Sequence, residues 1–223
     1  MWTGVLRTYS VSVVMAAFNE SSTVANVISG VKHTRLIDQI IVVDDVSTDG
    51  TPTKAEEMGC LVIRNNFRMG QTRSLRRGIE TATTDLVITM DADMDHMPSD
   101  IPRLLYSMEE NNADLVIGRR SELPRIVERV MSKLLYPKTG VVDTISGFRA
   151  IRRDTLNKVK FDDDDTWGSL FLIRCVHKGL RITEVPIQTP PRRAVSRTGG
   201  SIKVNMRMLK ALVKDILCIG RLI

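Results

Sequence analysis

Four short apolar runs rich in Val and Ile punctuate the first hundred residues: Val11–Ala17, Gln39–Val43, Leu61–Ile63 and Asp85–Met90. Each is too short for a buried helix and too continuously apolar for a strand with one wet face. Each therefore reads as a strand covered on both sides. Between them, Ser21–Val31, Thr51–Met58 and Gln71–Thr81 carry apolar residues at helical spacing. Asn19 and Thr51 suit helix N-termini, and Gly59 suits a stop. This alternation predicts an α/β fold, Rossmann-like, with a mostly parallel central sheet and helices on both faces. The second half is less regular. The pattern there predicts helices over Ile101–Glu110, Pro124–Leu135 and Trp167–His177, and strands at Asp114–Ile117, Phe148–Ile151 and Arg181–Val185. Pro186–Gly200 reads as a loop and Ile202–Ile223 as a final helix. With 223 residues and no internal repeat, a single domain is expected.

Parallel sheets bind ligands at the carboxyl ends of their strands. The polar clusters fall there: Asn19-Glu20, Asp44-Asp45, and Asp91-Ala92-Asp93-Met94-Asp95-His96. Carboxylates at the first and third positions of a bent turn supply part of the octahedral shell of Mg²⁺ or Mn²⁺, and substrate phosphate oxygens complete it. An EF-hand loop starting at Asp91 would need Gly sixth and Glu twelfth, but the chain has His96 and Pro102. An aspartyl-nucleophile phosphatase would carry its DxD after the first strand, not the fourth. A plain acidic turn capping a helix near Ser99 is the competing reading. In IIVVDDVSTDGT, Asp44 or Asp45 can accept hydrogen bonds from a nucleobase imide or ribose hydroxyls, while Ser47, Thr48 and Asp49 make the turn. His33 and His177 read as structural, and His96 as shaping its turn.

Charge sharpens this picture. Residues 119–153 carry nine Lys/Arg against three acids, and residues 192–221 eight against one, in a chain of net charge +6. The remainder is therefore acidic, so two basic surfaces for anions adjoin a metal-ready region. A solvated basic face is the bland alternative. Aromatic residues are 4% of the chain and no nucleic-acid signature is present, which argues against that partner. Cys60, Cys175 and Cys218 are odd in number and scattered, which points to a reducing cytoplasm rather than a disulfide framework. The first ten residues lack a signal-peptide pattern, and no run of about 18 uncharged apolar residues is present.

Four stretches together resemble family 2 glycosyltransferases, above all the dolichol-phosphate and polyprenyl-phosphate mannosyl- and glucosyltransferases. They are SVVMAAFNES, IIVVDDVSTDGT, NNFRMGQTRSLRRGIETATTDLVITMDADMDHMP, and DTISGFRAIRRD with EVPI downstream. The resemblance covers about Ser12 to Lys203 and implies a GT-A fold, an inverting transfer and a metal-dependent site for a nucleotide-diphosphate sugar. It implies that Ala16, Phe18 and Glu20 line the base pocket and that Asp44 or Asp45 holds base or ribose. Gly70 and Ala92 would lie beside the donor, and Asp91, Asp93 and Asp95 would hold Mg²⁺ or Mn²⁺. The chain departs from the family at Ala16-Ala17, where Pro-Thr or Pro-Ala is usual, at Asp95, where the lipid-phosphate branch often has Gln, and at Leu170, near the place where relatives carry Gln or Glu.

A donor half over about 11–97 and an acceptor half over about 98–202 follow, with a basic amphipathic helix at 203–223. A polyprenyl phosphate acceptor is already anionic near neutral pH and needs cations rather than a base. Arg119 and Arg120 follow a strand end, and Arg125, Arg129 and Ser132 fall on one expected helix. Arg192, Arg193 and Arg197 precede Gly200-Ser201-Ile202-Lys203, which looks like the Gly-x-Ser-Lys ending of that branch. Arg129 and Arg192 are expected to act with Asp93 in catalysis, and Arg119, Arg125, Ser132, Arg193, Ser201 and Lys203 to gather the acceptor phosphate. A hydroxyl acceptor would need a carboxylate base, for which Asp162–Asp165 is the first source. In the last helix Lys203, Arg207, Lys210 and Lys214 form one stripe and Leu209, Leu212, Val213, Ile216 and Ile219 another. That helix suits an anionic membrane surface or a core equally. The resulting expectation is a peripheral enzyme at the cytoplasmic membrane face. A soluble enzyme acting on a hydroxyl and a silent nucleotide-sugar-binding scaffold are the rivals.

Overall fold

A computed structural model describes residues 9–123, 125–159 and 168–189. The first half alternates strand and helix as the pattern requires. Strand β1 (Val11–Ala17) leads to α1 (Val24–His33), β2 (Gln39–Asp44) to α2 (Thr51–Glu57), and β3 (Leu61–Arg64) to α3 (Gln71–Thr81). Strand β4 (Leu86–Thr89) then runs through a 3-10 turn at Pro98–Asp100 into α4 (Ile101–Glu110). After β5 (Leu115–Arg119) come α5 (Ile126–Thr139), β6 (Arg149–Arg152), α6 (Arg153–Lys158), α7 (Ser169–His177) and β7 (Ile182–Pro186).

Among the described residues, seven strands form one sheet in the order β3-β2-β1-β4-β6-β5-β7. The pairs β1–β2, β1–β4, β2–β3 and β5–β7 are parallel, whereas β6 runs antiparallel between β4 and β5. The continuous apolar strands are explained by two cores, one on each face. Val11, Val13 and Met15 point to the side covered by Val24, Ile28, Leu104 and Met108 of α1 and α4. Val14, Ile41 and Val43 point to the side covered by Leu75 and Ile79 of α3 and by Phe171 and Leu172 of α7.

Several boundaries differ from the sequence expectation for local reasons. Helix α1 starts three residues later than expected because Glu20 O accepts the N–H groups of Thr23 and Val24, making a turn first. Helix α5 begins at Ile126 and carries Pro137 through its last turn before Gly140 ends it at φ 66°. Helix α6, six residues long, is too short to leave a periodic signal. The antiparallel direction of β6 has no counterpart in the hydrophobic pattern, because direction is set by connections rather than by side-chain period. No helix among the described residues is long and apolar enough to cross a membrane.

Helix α3 sits close against the sheet at Gly78. A Cβ there would lie 2.9 Å from Val43 Cγ2 and closer still to Val14 Cγ1. Both atoms belong to β-branched side chains in the middle of the sheet, which have little room to turn. Alanine is the better helix former by up to about 1 kcal/mol, but overpacking costs about 1–3 kcal/mol, so the clash wins. Gly78→Ala should lower the urea midpoint, and an unchanged or raised midpoint would show that α3 can move away freely.

Candidate active site

The carboxyl ends of β1, β2 and β4 lie side by side, and the chain turns away from β1 toward β2 before returning on its other side at β4. Such a switch point leaves a crevice where the connecting loops separate. Each loop there holds a non-glycine residue at positive φ: Asn19 at 54°, Val46 at 65° and Met94 at 70°. For β-branched Val46 this is a costly conformation, about 1–3 kcal/mol, of the kind that surrounding structure must hold in place.

What holds these loops is a set of oriented N–H groups. Asn19 N–H donates to Ser47 Oγ at 2.9 Å, and Thr48 N–H donates back to Asn19 Oδ1 at 2.9 Å. Glu20 N–H donates to Thr51 Oγ1, and Ser21 N–H to Asp49 Oδ2. Dehydration is the largest single influence on Asp49 and would raise its pKa, but the donors of Thr51 and Ser21 together outweigh it and hold the carboxyl down to about 2. The STDGT turn is thus a clasp on the loop that presents Phe18 and Glu20.

Asp44 and Asp45 are both buried. Asp45 accepts four hydrogen bonds: from Asn65 Nδ2 (2.9 Å), Arg68 Nε (3.1 Å), Met69 N (2.7 Å) and Gly70 N (2.9 Å). Burial alone would raise its pKa, but these donors outweigh it and hold the carboxyl below its ordinary value. Asp45 therefore ties the β3–α3 loop to the end of β2, a role turn chemistry alone does not suggest. Gly70 takes φ 85° there, which only glycine adopts freely. Asp44 is different. Its Oδ2 accepts Ser47 N–H at 3.2 Å, but its buried Oδ1 has no hydrogen-bond partner among the described residues. An orphaned buried carboxylate oxygen is an expensive feature that an incoming hydroxyl or imide N–H would satisfy. Ala16 is half-buried between these loops and the core.

The Asp91 loop is held from several sides. Gln71 Nε2, at the start of α3, donates to Asp91 Oδ1 at 2.7 Å. Asp91 N–H donates to His96 Nδ1 at 3.1 Å, which leaves that nitrogen an acceptor; the 3.5 Å approach of His96 to Asp91 Oδ2 is thus not an ion pair. His96 is buried and stacks on Phe148, with ring centroids 5.2 Å apart. Its role is to shape the turn, as the sequence suggests. Ala92 is buried, and Asp93 Oδ1 accepts Asp95 N–H at 3.0 Å. Asp93 is exposed as a residue, but its carboxyl end faces the acidic loop rather than open water. That dehydration, with the charges of Asp91, Asp95 and Glu20, pushes it up to about 7.

The sequence groups Asp91, Asp93 and Asp95 as one metal set. Among the described residues no three His, Cys, Asp or Glu side chains are arranged to hold a metal ion by themselves. The reason is visible: Asp91 is turned toward Gln71 and His96, and Asp93 toward the Asp95 backbone. The chemistry of the remaining pair still fits a hard cation, because Asp93 sits among the like charges of Asp91, Asp95 and Glu20. Two carboxylates completed by diphosphate oxygens are an ordinary Mg²⁺ or Mn²⁺ arrangement.

The DTISGFR stretch packs beside this loop. A Cβ on Gly147 would lie 3.5 Å from Asp91 Oδ1, and Thr89 Oγ1 donates to Gly147 O at 2.7 Å. Arg149 is wholly buried and donates to Thr144 O, Ser146 O and Gly168 O. Burial pulls its guanidinium down to about 10, so it stays charged at neutral pH.

Among the described arginines expected to face the acceptor, Arg120 turns inward. Its guanidinium grips Asp143 with two bonds of 2.8 and 2.9 Å and lies 3.5 Å from Glu128. Burial would lower its pKa, but Asp143 and Glu128 raise it. Glu184 accepts the N–H groups of Val142 and Asp143, strapping that segment to β7. Arg119 stays exposed at the end of β5. The sequence places Arg125 inside a helix with its charge facing a phosphate. Instead it precedes α5 in extended conformation and pairs with Glu128 at 2.9 Å. Buried Glu128 needs that partner, which explains the difference. Arg129 is exposed on α5 and Ser132 half-buried. Arg192, Arg193, Ser201, Lys203, the Asp162–Asp165 run and the final helix lie outside the described residues.

Parallel β1, β2 and β4 over an acidic edge, with β6 reversed beside them, make this a GT-A-type fold. Glucosyl-3-phosphoglycerate synthase from Mycobacterium tuberculosis, solved with phosphoglyceric acid, superposes with a TM-score of 0.74 at 24% identity, covering 93% of this chain and 80% of that one. Its complex with Mn²⁺, uridine diphosphate and glucosyl-3-phosphoglycerate gives 0.73 at 22% identity, covering 95% and 80%. The chain belongs to glycosyl transferase family 2, whose model matches residues 12–160. Similar proteins include the polyprenol monophosphomannose synthase of Mycolicibacterium smegmatis, 29% identical over 85% of this chain and 81% of that one. The undecaprenyl-phosphate mannosyltransferase of Micrococcus luteus is 34% identical over 66% and 70%. The dolichol-phosphate mannosyltransferase of Pyrococcus furiosus is 29% identical over 79% of this chain, which spans 55% of its length.

A carboxyl raised to about 7 favours the folded state while protonated. Its contribution is present below about pH 4, the ordinary Asp value, and is lost as pH rises through about 7. A divalent cation competes for the same carboxylate. The rise in melting temperature on adding Mn²⁺ with uridine diphosphate or guanosine diphosphate should therefore grow from about pH 6 to about pH 8. Asp93→Asn should abolish that growth and most turnover while leaving the circular dichroism spectrum unchanged. A shift independent of pH in the wild type would remove Asp93 from the metal site.

Proposed function

We propose that this protein is an inverting hexosyltransferase that moves a sugar from a nucleotide-diphosphate donor to a polyprenyl phosphate at a membrane surface. The observation that carries the donor half of this reading is the convergence of Phe18, Asp44 and the Asp91–Asp93 pair at the ends of three adjacent parallel strands. Phe18 offers a ring face to the base, and the orphaned Oδ1 of Asp44 an acceptor for a ribose hydroxyl or imide. Asp91 and Asp93 would hold Mg²⁺ or Mn²⁺, which supplies Lewis-acid stabilisation to the leaving diphosphate. Gln71 fixes the rotamer of Asp91 for that task.

On the acceptor side, a phosphate monoester is already mostly ionised near neutral pH. The chain then needs only to gather the anion and exclude water, which suits Arg129 and the basic stretch around it. It also removes the need for a base near Leu170, which is buried in α7. The membrane part rests on α5. Ile126 (71% exposed), Val130 (43%) and Leu134 (51%) recur every four residues on its outer side, flanked by exposed Arg129 and Lys133. An apolar stripe edged with cations suits the interface of an anionic bilayer. The names of the mannosyltransferase relatives point to the same acceptor class. A second reading, transfer to a small phosphorylated acceptor in water, draws on the structural neighbour that makes glucosyl-3-phosphoglycerate.

Labelled sugar should enter an organic-extractable product with polyprenyl phosphate and not with the unphosphorylated alcohol. Arg129→Ala should raise the acceptor KM about tenfold or more, as expected for a lost charge-assisted contact, and leave the donor KM nearly unchanged. Preference for the alcohol or for a water-soluble acceptor would overturn the lipid-phosphate reading.

The α5 stripe gives a separate expectation. Ile126→Asp with Leu134→Asp should weaken co-sedimentation with phosphatidylglycerol vesicles about tenfold or more, given the apolar surface withdrawn from the interface. Unchanged sedimentation would take α5 out of membrane contact.

A further inference from the structure

Arg68, so far only one of the four donors to Asp45, makes a second contact that this tie does not need. It lies in the loop between β3 and α3, and its guanidinium carbon sits 3.3 Å from the centroid of the Phe18 ring. Its Nε donates to Asp45 Oδ2 at 3.1 Å. A guanidinium is flat, stacks on aromatic faces and presents N–H donors in its own plane. A nucleobase offers the same features: a planar face to stack and an in-plane N–H to donate. Arg68 therefore meets Phe18 and Asp45 with the chemistry that an incoming base would bring.

We propose that Arg68 is a specificity-determining residue of the donor pocket, an internal occupant that a nucleobase must displace before its own ring can stack on Phe18. This rests on the reading of Phe18 as the base platform. Asp45 has three other donors, from buried Asn65 and from the backbone of Met69 and Gly70, so the β3–α3 loop keeps its tie when Arg68 leaves. The Arg68 side chain is 53% exposed, whereas Asp45 is 4% exposed, so the guanidinium has solvent to swing into and the carboxylate has not. Displacement discards one stacking contact and one half-exposed ion pair, both of modest strength in water. A site occupied by its own side chain binds ligand more weakly by the fraction of time it is closed. Bases that stack strongly and donate an N–H toward Asp45 overcome this occupant, and weakly stacking ones do not.

The test is calorimetric titration of the full chain with uridine diphosphate and with guanosine diphosphate, each in the presence of Mn²⁺. Arg68→Ala should tighten binding of the nucleotide that the wild type prefers by roughly 5- to 20-fold, and should narrow the difference between the two. The sign is informative, because loss of a positive charge near an anionic ligand would by itself weaken binding. Arg68→Lys keeps the charge without the flat face and should tighten binding less. Equal or weaker binding by Arg68→Ala, at a wild-type melting temperature, overturns the proposal. If Arg68→Ala unfolds, absence of any tightening in Arg68→Lys overturns it instead. Phe18→Ala separates the two layers of inference. Weaker binding there, with no gain in the Arg68 variants, sinks the occupant alone; wild-type affinity in Phe18→Ala sinks the base-platform reading and the occupant with it.

Discussion

Strand β1 is hydrogen-bonded in parallel on both sides, to β2 and to β4, and most of the molecule follows from that. Parallel neighbours need crossover connections, so helices must cover both faces and the central strands must be apolar along most of their length. The same geometry sends the three carboxyl ends to one edge. Loops leaving that edge diverge, two toward β2 and β3 and one toward β4, and the gap between them is the crevice described above. The acceptor side depends on this too, since β6 pairs with β4 and so brings Gly147 and Phe148 against the Asp91 loop.

Gathering acids at one edge has an electrostatic cost, and the chain meets it unevenly. Asp45 and Asp49 are surrounded by N–H donors and held below their ordinary pKa values. Asp143 is gripped by Arg120, and Glu128 by Arg125. These carboxylates hold loops, Asp45 through donors of which one, Arg68, is half-exposed and replaceable by a ligand. Asp93 has its neighbours Asp91, Asp95 and Glu20 instead, and its pKa rises. Contrast in environment separates acids that hold loops from an acid available for ligand chemistry.

Much of the fold was legible in the sequence because buried parallel strands and amphipathic helices leave periodic marks: β1 and α3 fall where the pattern places them. Beside them, α6 and the reversal of β6 left none. The site divides in the same way. Motifs such as DADMDH advertise themselves by adjacency of like residues at a strand end. The contacts that orient them do not, because they join residues far apart along the chain: Gln71 to Asp91, Asn65 and Arg68 to Asp45, Arg120 to Asp143. A lone Arg149 between apolar neighbours was the one available hint of a buried charge, and only burial reveals that it clamps the loop before β6. Arg125 shows the converse. Helical spacing suggested a ligand, and a buried acid one turn away claimed it.

Helix α3 behaves as a rod seated on the sheet at Gly78, with Gln71 at its far tip against Asp91. Those two points are about two turns, or ~10 Å, apart along the axis. A rod lifted at one point tilts, and its tip travels. Bulk added at Gly78 would thus swing Gln71 off Asp91 while touching nothing in the crevice. Hereditary or laboratory variants at this glycine would then look, by position, like faults of packing, yet register as faults in handling the donor, in a chain that still folds.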